Sequence, residues 1–273
     1  MIVDGKQLAQ EIIEGLKLEF NKITGKTRLA VVLVGQDPAS LSFIKQKQKI
    51  AQTLGIEFKL YQYPEDIKVK DLRKKVGEIC KVTANKGVVV QLPLPSHINN
   101  QVILNAILKE KDVDVLCEKN LGAYYLNRLN VLPPVVSVIA YIIKKYEVDV
   151  SGKNVLIIGR GNLVGKPASM YFINQGATVI STNKHTSDLE SFIKKADIIV
   201  SGAGQPDLIK GDMVKDGVVI FDAAVVEESG KLTGDCDFES VSKKASLITP
   251  VPGGIGPMTV AMLYMNLLIL IKR

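Results

Sequence analysis

The stretch that most constrains this chain is residues 154–167, NVLIIGRGNLVGKP. It opens with the apolar run 155–158, breaks at Gly159, and carries further glycines at 161 and 165 before a helix-compatible segment. An unbroken apolar run is the pattern of a strand buried on both faces. Glycines spaced through the following turn let backbone amides approach a pyrophosphate, which then rests on a helix N-terminus. The spacing is G-x-G-x-x-x-G, one residue looser than the commonest dinucleotide fingerprint. Taken alone it describes a tight strand-to-helix turn equally well. Its context favours the nucleotide reading. Residues 177–181 (ATVIS), 196–201 (ADIIVS) and 217–222 (GVVIFD) supply further strand-like runs. Together they predict a doubly wound parallel sheet.

At 273 residues the chain has room for two domains, each with its own core. Cys80, Cys117 and Cys236 are odd in number and lack C-x-x-C spacing, which predicts reduced thiols in a cytoplasmic protein. With only His97 and His185, a histidine-rich metal centre is excluded, and no metal is expected. The start shows no signal-peptide pattern, and the apolar run 260–271, interrupted by Asn266, is too short to span a bilayer. No membrane partner is expected. A formal charge of +7 suits anionic partners such as a phosphorylated cofactor or a polycarboxylate substrate. Nucleic acid is also anionic, but no nucleic-acid motif accompanies the scattered lysines, and none is expected to bind.

Ahead of the glycine-rich turn, periodicity predicts a helix over Gly5–Phe20, a strand over 29–34, and a helix over 37–52. A strand over 58–63, a helix over 69–80, a strand over 87–91 closed by LPLP, and a helix over 102–109 follow. Phe43 and Lys47, four residues apart, share one side of their helix. Flanked by Lys45 and Lys49, Lys47 also reads as one more solvated lysine. Gln91 ends a buried strand, where open α/β sheets place ligands, although an amide there can simply tie down the next loop. The loop 111–114, KDVD, offers two acids for a metal, a helix cap or a ligand amino group. A Pro-Pro pair opens a helix over 133–147 that leads into the glycine-rich unit.

Beyond the second strand of that unit come Thr182, Asn183, Lys184 and His185, with no acid before Asp188. NAD sites usually place an acid there for the ribose hydroxyls. Lys184 with Arg160 therefore points to a 2′-phosphate and NADP, the alternative being a solvated turn. Residues 248–259, ITPVPGGIGPMT, hold three prolines and three glycines and read as neither helix nor central strand. Such a loop either brings backbone close to a ligand or joins domains rigidly.

DGKQLA at 4–9, VGQDPAS at 34–40, the K-x-K of Lys47 and Lys49, VQLPLP at 90–95 and KDVD appear in order along the chain. GR-x-x-x-VGKP at 159–167, GDMVK at 211–215 and PVPGGIGPMT complete the set. In this order and spacing the chain resembles the bifunctional methylenetetrahydrofolate dehydrogenase/cyclohydrolase family over nearly its whole length. The resemblance implies a two-domain α/β fold with an N-terminal folate-binding lobe over 1–138 and a C-terminal Rossmann-type doubly wound parallel sheet over 139–256. A cleft would lie between them, and a terminal helix, 257–273, would return to the first lobe. The implied activity is NADP-dependent oxidation of 5,10-methylene-tetrahydrofolate, then hydrolysis of the methenyl product to 10-formyl-tetrahydrofolate. This is one-carbon metabolism supporting purine biosynthesis, in a homodimer joined through the nucleotide domain. The family's catalytic lysine falls on Lys47 and its glutamine partner on Gln91. Folate contacts fall on Phe43, Asp114, Pro252, Gly253 and Gly256. Cofactor contacts fall on Gly159, Arg160, Gly161, Val164, Gly165, Lys184 and Val225.

The chain departs from the family pattern around both ligands. Phe43 stands where the family has tyrosine, so a hydroxyl near Lys47 is missing and the cyclohydrolase half is the one put in question. The family's P-C-T-P is Pro133, Pro134, Val135, Val136 here; the glycine after KDVD is Val115, and the serine of the cofactor loop is Gly161. Ala224 replaces a glycine, adding a methyl that is expected to weaken cofactor affinity. These changes motivate a second reading, a paralogue that binds folate or nucleotide without turnover. A third is a dehydrogenase for another small substrate on the same fold.

Overall fold

The structure is a computed structural model and describes residues 1–228 and 230–272. In chain order it runs α1 (Gly5–Phe20), β1 (Arg28–Val34), α2 (Pro38–Thr53), β2 (Glu57–Tyr63), α3 (Val69–Lys81), β3 (Asn85–Val90), α4 (Asn100–Leu104) and α5 (Glu118–Tyr125). Then come α6 (Pro134–Lys145), β4 (Asn154–Ile158), α7 (Gly165–Asn174), β5 (Thr178–Thr182), α8 (Leu189–Lys195), β6 (Ile198–Ser201) and β7 (Val219–Asp222). The chain closes with β8 (Val226–Glu228), β9 (Lys231–Thr233), α9 (Phe238–Val241), β10 (Leu247–Ile248) and α10 (Ile255–Ile271). It divides into two compact units, Glu11–Pro134 with Val260–Arg273, and Met1–Gln10 with Val135–Thr259.

In the first unit, β2-β1-β3 form a parallel sheet. The central β1 (RLAVVLV) is buried at every position after Arg28, as a strand covered on both faces must be. β2 lies at the sheet edge and alternates half-buried and exposed positions along much of its length. α3 turns Leu72, Val76, Ile79 and Cys80 onto Val32, Val34, Val88 and Val90. The terminal stretch of α10 is apolar all round and buried, the pattern of a helix with no solvent face. Gly87 of β3 admits it: a Cβ there would lie 2.8 Å from both Leu267 Cδ1 and Val113 Cγ1.

In the second unit, β10-β7-β6-β4-β5 form a parallel sheet. β5 pairs on one side of β4 and β6 on the other, so β4 stands at the point where strand order reverses. Ligands of doubly wound sheets bind outside the carboxyl ends of the strands at that point. The chain start belongs here too, with Val3 N donating to Ile248 O and Ile248 N to Met1 O, both at 2.9 Å.

The structure corrects the sequence reading in two places. The helix expected over 102–109 is α4, displaced toward its start and only five residues long. Asn99 caps it, accepting from Gln101 N and Val102 N, and Ala106 N and Ile107 N then bond three residues back rather than four. The segment 248–259, expected to be non-helical, contributes Ile248 to β10 and starts α10 at Ile255. Pro257 is accommodated because first-turn N–H groups have no intrahelical acceptor, so a missing N–H costs nothing there. Among the described residues no helix is long and apolar enough to cross a membrane.

Candidate active site

α2 starts where Asp37 accepts from Ser40 N at 2.8 Å and Pro38 occupies the first turn. Its buried residues are Ser40, Ile44, Lys47 and Ala51, one continuous helical stripe. Lys47 is thus 8% exposed, whereas its neighbours Lys45 and Lys49 are exposed and Phe43 is 44% exposed. The Lys47 Nζ donates to Gln91 Oε1 at 2.7 Å and lies 5.9 Å from the Phe43 ring centroid. Gln91, just past β3, is anchored by its N donating to Val32 O at 2.9 Å and its Nε2 donating to Leu92 O at 2.7 Å. Its oxygen is left for the lysine. Tyr264 of α10, fully buried, donates from its hydroxyl to Lys47 O at 2.7 Å and ties down the turn that carries the amine.

The acids of KDVD take different parts. Asp112 is buried, and its carboxylate accepts from Leu116 N at 3.0 Å, Cys117 N at 2.9 Å and Asn120 Nδ2 at 3.0 Å. It is committed to its own loop. Asp114 is half-buried, and among the described residues no hydrogen bond within the chain reaches its carboxylate. Burial pushes the Asp114 carboxyl up to about 6, against the pull of the Lys47 charge and with a further push from Asp112. Burial likewise lowers the Lys47 amine, with the Asp114 charge opposing. Both groups move toward neutrality, the usual condition of groups that exchange protons or meet a ligand. Val115 adopts φ 59°, a left-handed conformation that costs a β-branched residue about 1–3 kcal/mol. Asn266 of α10 donates from Nδ2 to Val113 O and Leu132 O, both at 2.8 Å, and so steadies the backbone beside Asp114.

The second unit builds a different site. β4 ends at Gly159, at φ 96°, where a Cβ would lie 2.5 Å from Gly202 O. A Cβ on Gly165, the first residue of α7, would lie 1.8 Å from Gly159 O. Only glycines let the turn close this tightly. Gly161 faces open space, and Val164 forms the N-cap of α7. Arg160 Nη2 donates to Ser181 O of β5, and Lys184 is exposed in the turn that follows, where Asn183 N donates to Thr186 Oγ1 at 3.0 Å. Asp188 is engaged as the N-cap of α8, accepting from Ser191 N at 3.3 Å. Val225 is exposed beyond β7, while the Ala224 methyl is buried inside the unit. A glycine cradle, the amino end of α7 and two cations at the carboxyl ends of β4 and β5 fit the phosphates of a dinucleotide. In the same unit Pro252 and Gly256 are exposed, and Gly253 is at φ 109° with open space on its Cβ side.

The structure thus gathers Phe43, Lys47, Gln91 and Asp114 in one unit. It places Gly159, Arg160, Gly161, Val164, Gly165, Lys184 and Val225 at the carboxyl ends of β4, β5 and β7 in the other. Sequence reasoning missed Tyr264 and the positioning role of Asn266. It also had a signal for Lys47 that it did not use, the stripe Ser40, Ile44, Lys47, Ala51.

Comparison with known proteins finds family models along most of the chain. Residues 3–114 match the tetrahydrofolate dehydrogenase/cyclohydrolase catalytic domain, and residues 133–273 match the NAD(P)-binding domain of the same name. The bifunctional protein FolD of Nautilia profundicola is 43% identical over 270 residues, spanning 97% of this chain and 95% of that protein. The crystal structure of the bifunctional FolD enzyme from Campylobacter jejuni superposes with a TM-score of 0.96 at 40% identity, covering 100% of this chain and 98% of that one. FolD from Trypanosoma brucei, solved with NADP and an inhibitor, gives a TM-score of 0.94 at 32% identity, covering 100% and 97%.

Proposed function

The chain belongs to the tetrahydrofolate dehydrogenase/cyclohydrolase family, and from that premise we propose that it oxidises 5,10-methylene-tetrahydrofolate with NADP and hydrolyses the methenyl product to 10-formyl-tetrahydrofolate. The observation that carries the chemistry is the buried Lys47 amine, 2.7 Å from Gln91 Oε1, beside a half-buried Asp114 whose carboxylate has no hydrogen-bond partner among the described residues.

NADP, when bound, accepts the hydride that leaves the methylene carbon. Asp114, with its carboxylate unengaged, accepts hydrogen bonds from the amino and ring N–H groups of the pterin. In the hydrolytic step water adds to the methenyl carbon and loses a proton, and N5 gains one as its bond to that carbon opens. Lys47 is the group that moves this proton, its pKa lowered by burial toward the working range. Gln91 holds the amine in direction. Phe43 offers the pterin an aromatic face but no hydroxyl, so proton transfer rests on Lys47 alone. Arg160 and Lys184 supply the charge for a 2′-phosphate, and the glycine cradle supports the pyrophosphate. The same reading extends to a homodimer joined through the nucleotide unit, which sedimentation of the purified protein over a range of concentrations tests. Three buried, unpaired thiols are consistent with a cytoplasmic site.

The direct test follows purified protein with 5,10-methylene-tetrahydrofolate and NADP, in parallel with NAD. Acid quenching destroys the reduced cofactor and leaves the methenyl compound to be read. Reduction of NADP without lasting methenyl excess is the expected result. No reduction with either cofactor overturns the proposal, and methenyl accumulation removes its hydrolytic half.

Two further results are expected at this site. Because burial raises Asp114 to about 6, the ionised acceptor disappears as pH falls through about 6 rather than about 4. The kcat/KM for folate should therefore fall about tenfold per pH unit below that point. Asp114→Asn should raise the folate KM at pH 7.5 and erase this acid limb; an unchanged limb would assign it to another group. Phe43→Tyr restores a hydroxyl beside a buried amine, worth about 0.5–1.5 kcal/mol if a hydrogen bond forms. The hydrolytic rate should rise severalfold with the NADP KM unchanged, and a rise in dehydrogenase rate alone would contradict the role given to Phe43.

A further inference from the structure

The nucleotide unit contains buried carboxylates that neither reaction uses. Asp222 ends β7 at 3% exposure, and Asp235, beyond β9, is fully buried. Asp235 Oδ2 accepts from Ser201 Oγ at 2.5 Å and from Ala203 N at 2.8 Å, and Oδ1 accepts from Gln205 N at 2.7 Å. Asp222 Oδ1 accepts from Ala224 N at 3.2 Å, and Oδ2 from Cys236 N at 3.0 Å. The Asp222 N itself donates to Thr249 Oγ1 at 2.8 Å. Gly234 permits this approach, since a Cβ there would lie 2.2 Å from Asp222 Oδ2.

Burying charge is costly unless every lone pair finds a donor. Of the five donors, four come from two segments, 201–205 from the end of β6 onward and 222–225 from the end of β7 onward, and the fifth is Cys236 N. Both emerge at the carboxyl end of the sheet, where β4 delivers Gly159. The first loop touches the glycine-rich turn directly. A Cβ on Gly159 would lie 2.5 Å from Gly202 O, and a Cβ on Gly202 would lie 2.8 Å from Val164 Cγ1. The second loop leads into Val225. Each acid therefore orders backbone that borders the cofactor contacts while lying buried itself.

We propose that residues 234–236, with Asp222, form an acid clamp in which Asp235 and Asp222 are positioning residues that set the walls of the NADP site. The clamp governs cofactor affinity and leaves folate chemistry alone; it rests on the reading of this unit as the NADP site. Charge-assisted hydrogen bonds from backbone N–H are short and strong, which suits loops that must hold one geometry. Asp235→Asn keeps the shape but turns one acceptor oxygen into a donor facing another donor.

The test measures NADP dissociation constants by direct titration for the wild type, Asp235→Asn, Gly234→Ala and Ser201→Ala, together with folate KM and kcat at saturating NADP. Asp235→Asn should weaken NADP about tenfold, equivalent to about 1.4 kcal/mol. Ser201→Ala should weaken it about threefold, with folate KM and kcat within twofold of wild type. A merely structural role would lower the melting temperature and active fraction but leave NADP affinity of the folded fraction unchanged. That result overturns the clamp. If Asp235→Asn does not fold, Ser201→Ala and Gly234→Ala decide by the same ratio. A wild type that does not bind NADP overturns the cofactor reading itself, which is a distinct outcome.

Discussion

Lys47→Met is expected to abolish hydrolysis of the methenyl product, with a loss of about 10²–10⁴-fold, the range general acid–base groups contribute. Methionine matches the length of the lysine stem and is apolar, so the stripe of Ser40, Ile44 and Ala51 keeps its packing. What disappears is a group able to carry a proton and its 2.7 Å bond to Gln91. Removing a buried cation also removes its desolvation cost. Melting temperature should therefore hold or rise while activity collapses, which separates chemistry from unfolding. Lys47→Arg should fail at hydrolysis too, because a guanidinium stays protonated at any working pH. Hydrolysis above a tenth of the wild-type rate in Lys47→Met would remove the lysine from the mechanism.

Gly165→Ala should eliminate NADP binding, by about a hundredfold or more, while folate binding persists. A Cβ at 165 would lie 1.8 Å from Gly159 O and 3.1 Å from Arg160 Cα, and both contacts are backbone. No rotamer change relieves such a clash, so the strand-to-helix turn must open and carry the amino end of α7 away from the phosphates. Gly15→Ala is the control. It lies on an exposed part of α1 with nothing within 4 Å, where alanine suits a helix better by about 0.5–1 kcal/mol. NADP affinity should be unchanged there. Equal affinity in Gly165→Ala would show that the turn does not hold the pyrophosphate.

Much of the nucleotide unit was legible in the sequence because its signals are local. The run 155–158, the glycines at 159 and 165, and the strand-like runs that become β5, β6 and β7 follow from side-chain period and Cβ sterics over a few residues. The motifs named the family that the comparisons identify. Two local readings failed where end effects ruled. Asn99 capped α4 earlier than its apolar pattern suggested, and Pro257 entered the first turn of α10, where its missing N–H does no harm. β10 is two residues long, too short for any periodic signal.

The site was legible in its residue types but not in their states. From sequence alone Lys47 had the same standing as Lys45 and Lys49, and Asp112 the same as Asp114. Burial separates them, and burial depends on segments distant in the chain. Gln91 meets Lys47 across 44 residues, and Tyr264 meets it across 217. Sequence by itself determined the parallel sheet, the glycine-rich turn and the family, because those rest on backbone geometry that each short segment carries with it. Tertiary structure alone decided which lysine is a buried amine, which aspartate is left without a hydrogen-bond partner among the described residues, and that Asp222 and Asp235 hold the segments that follow β6 and β7. Those are properties of a group's surroundings, set by solvent exclusion and nearby charge, and no neighbourhood in sequence contains them.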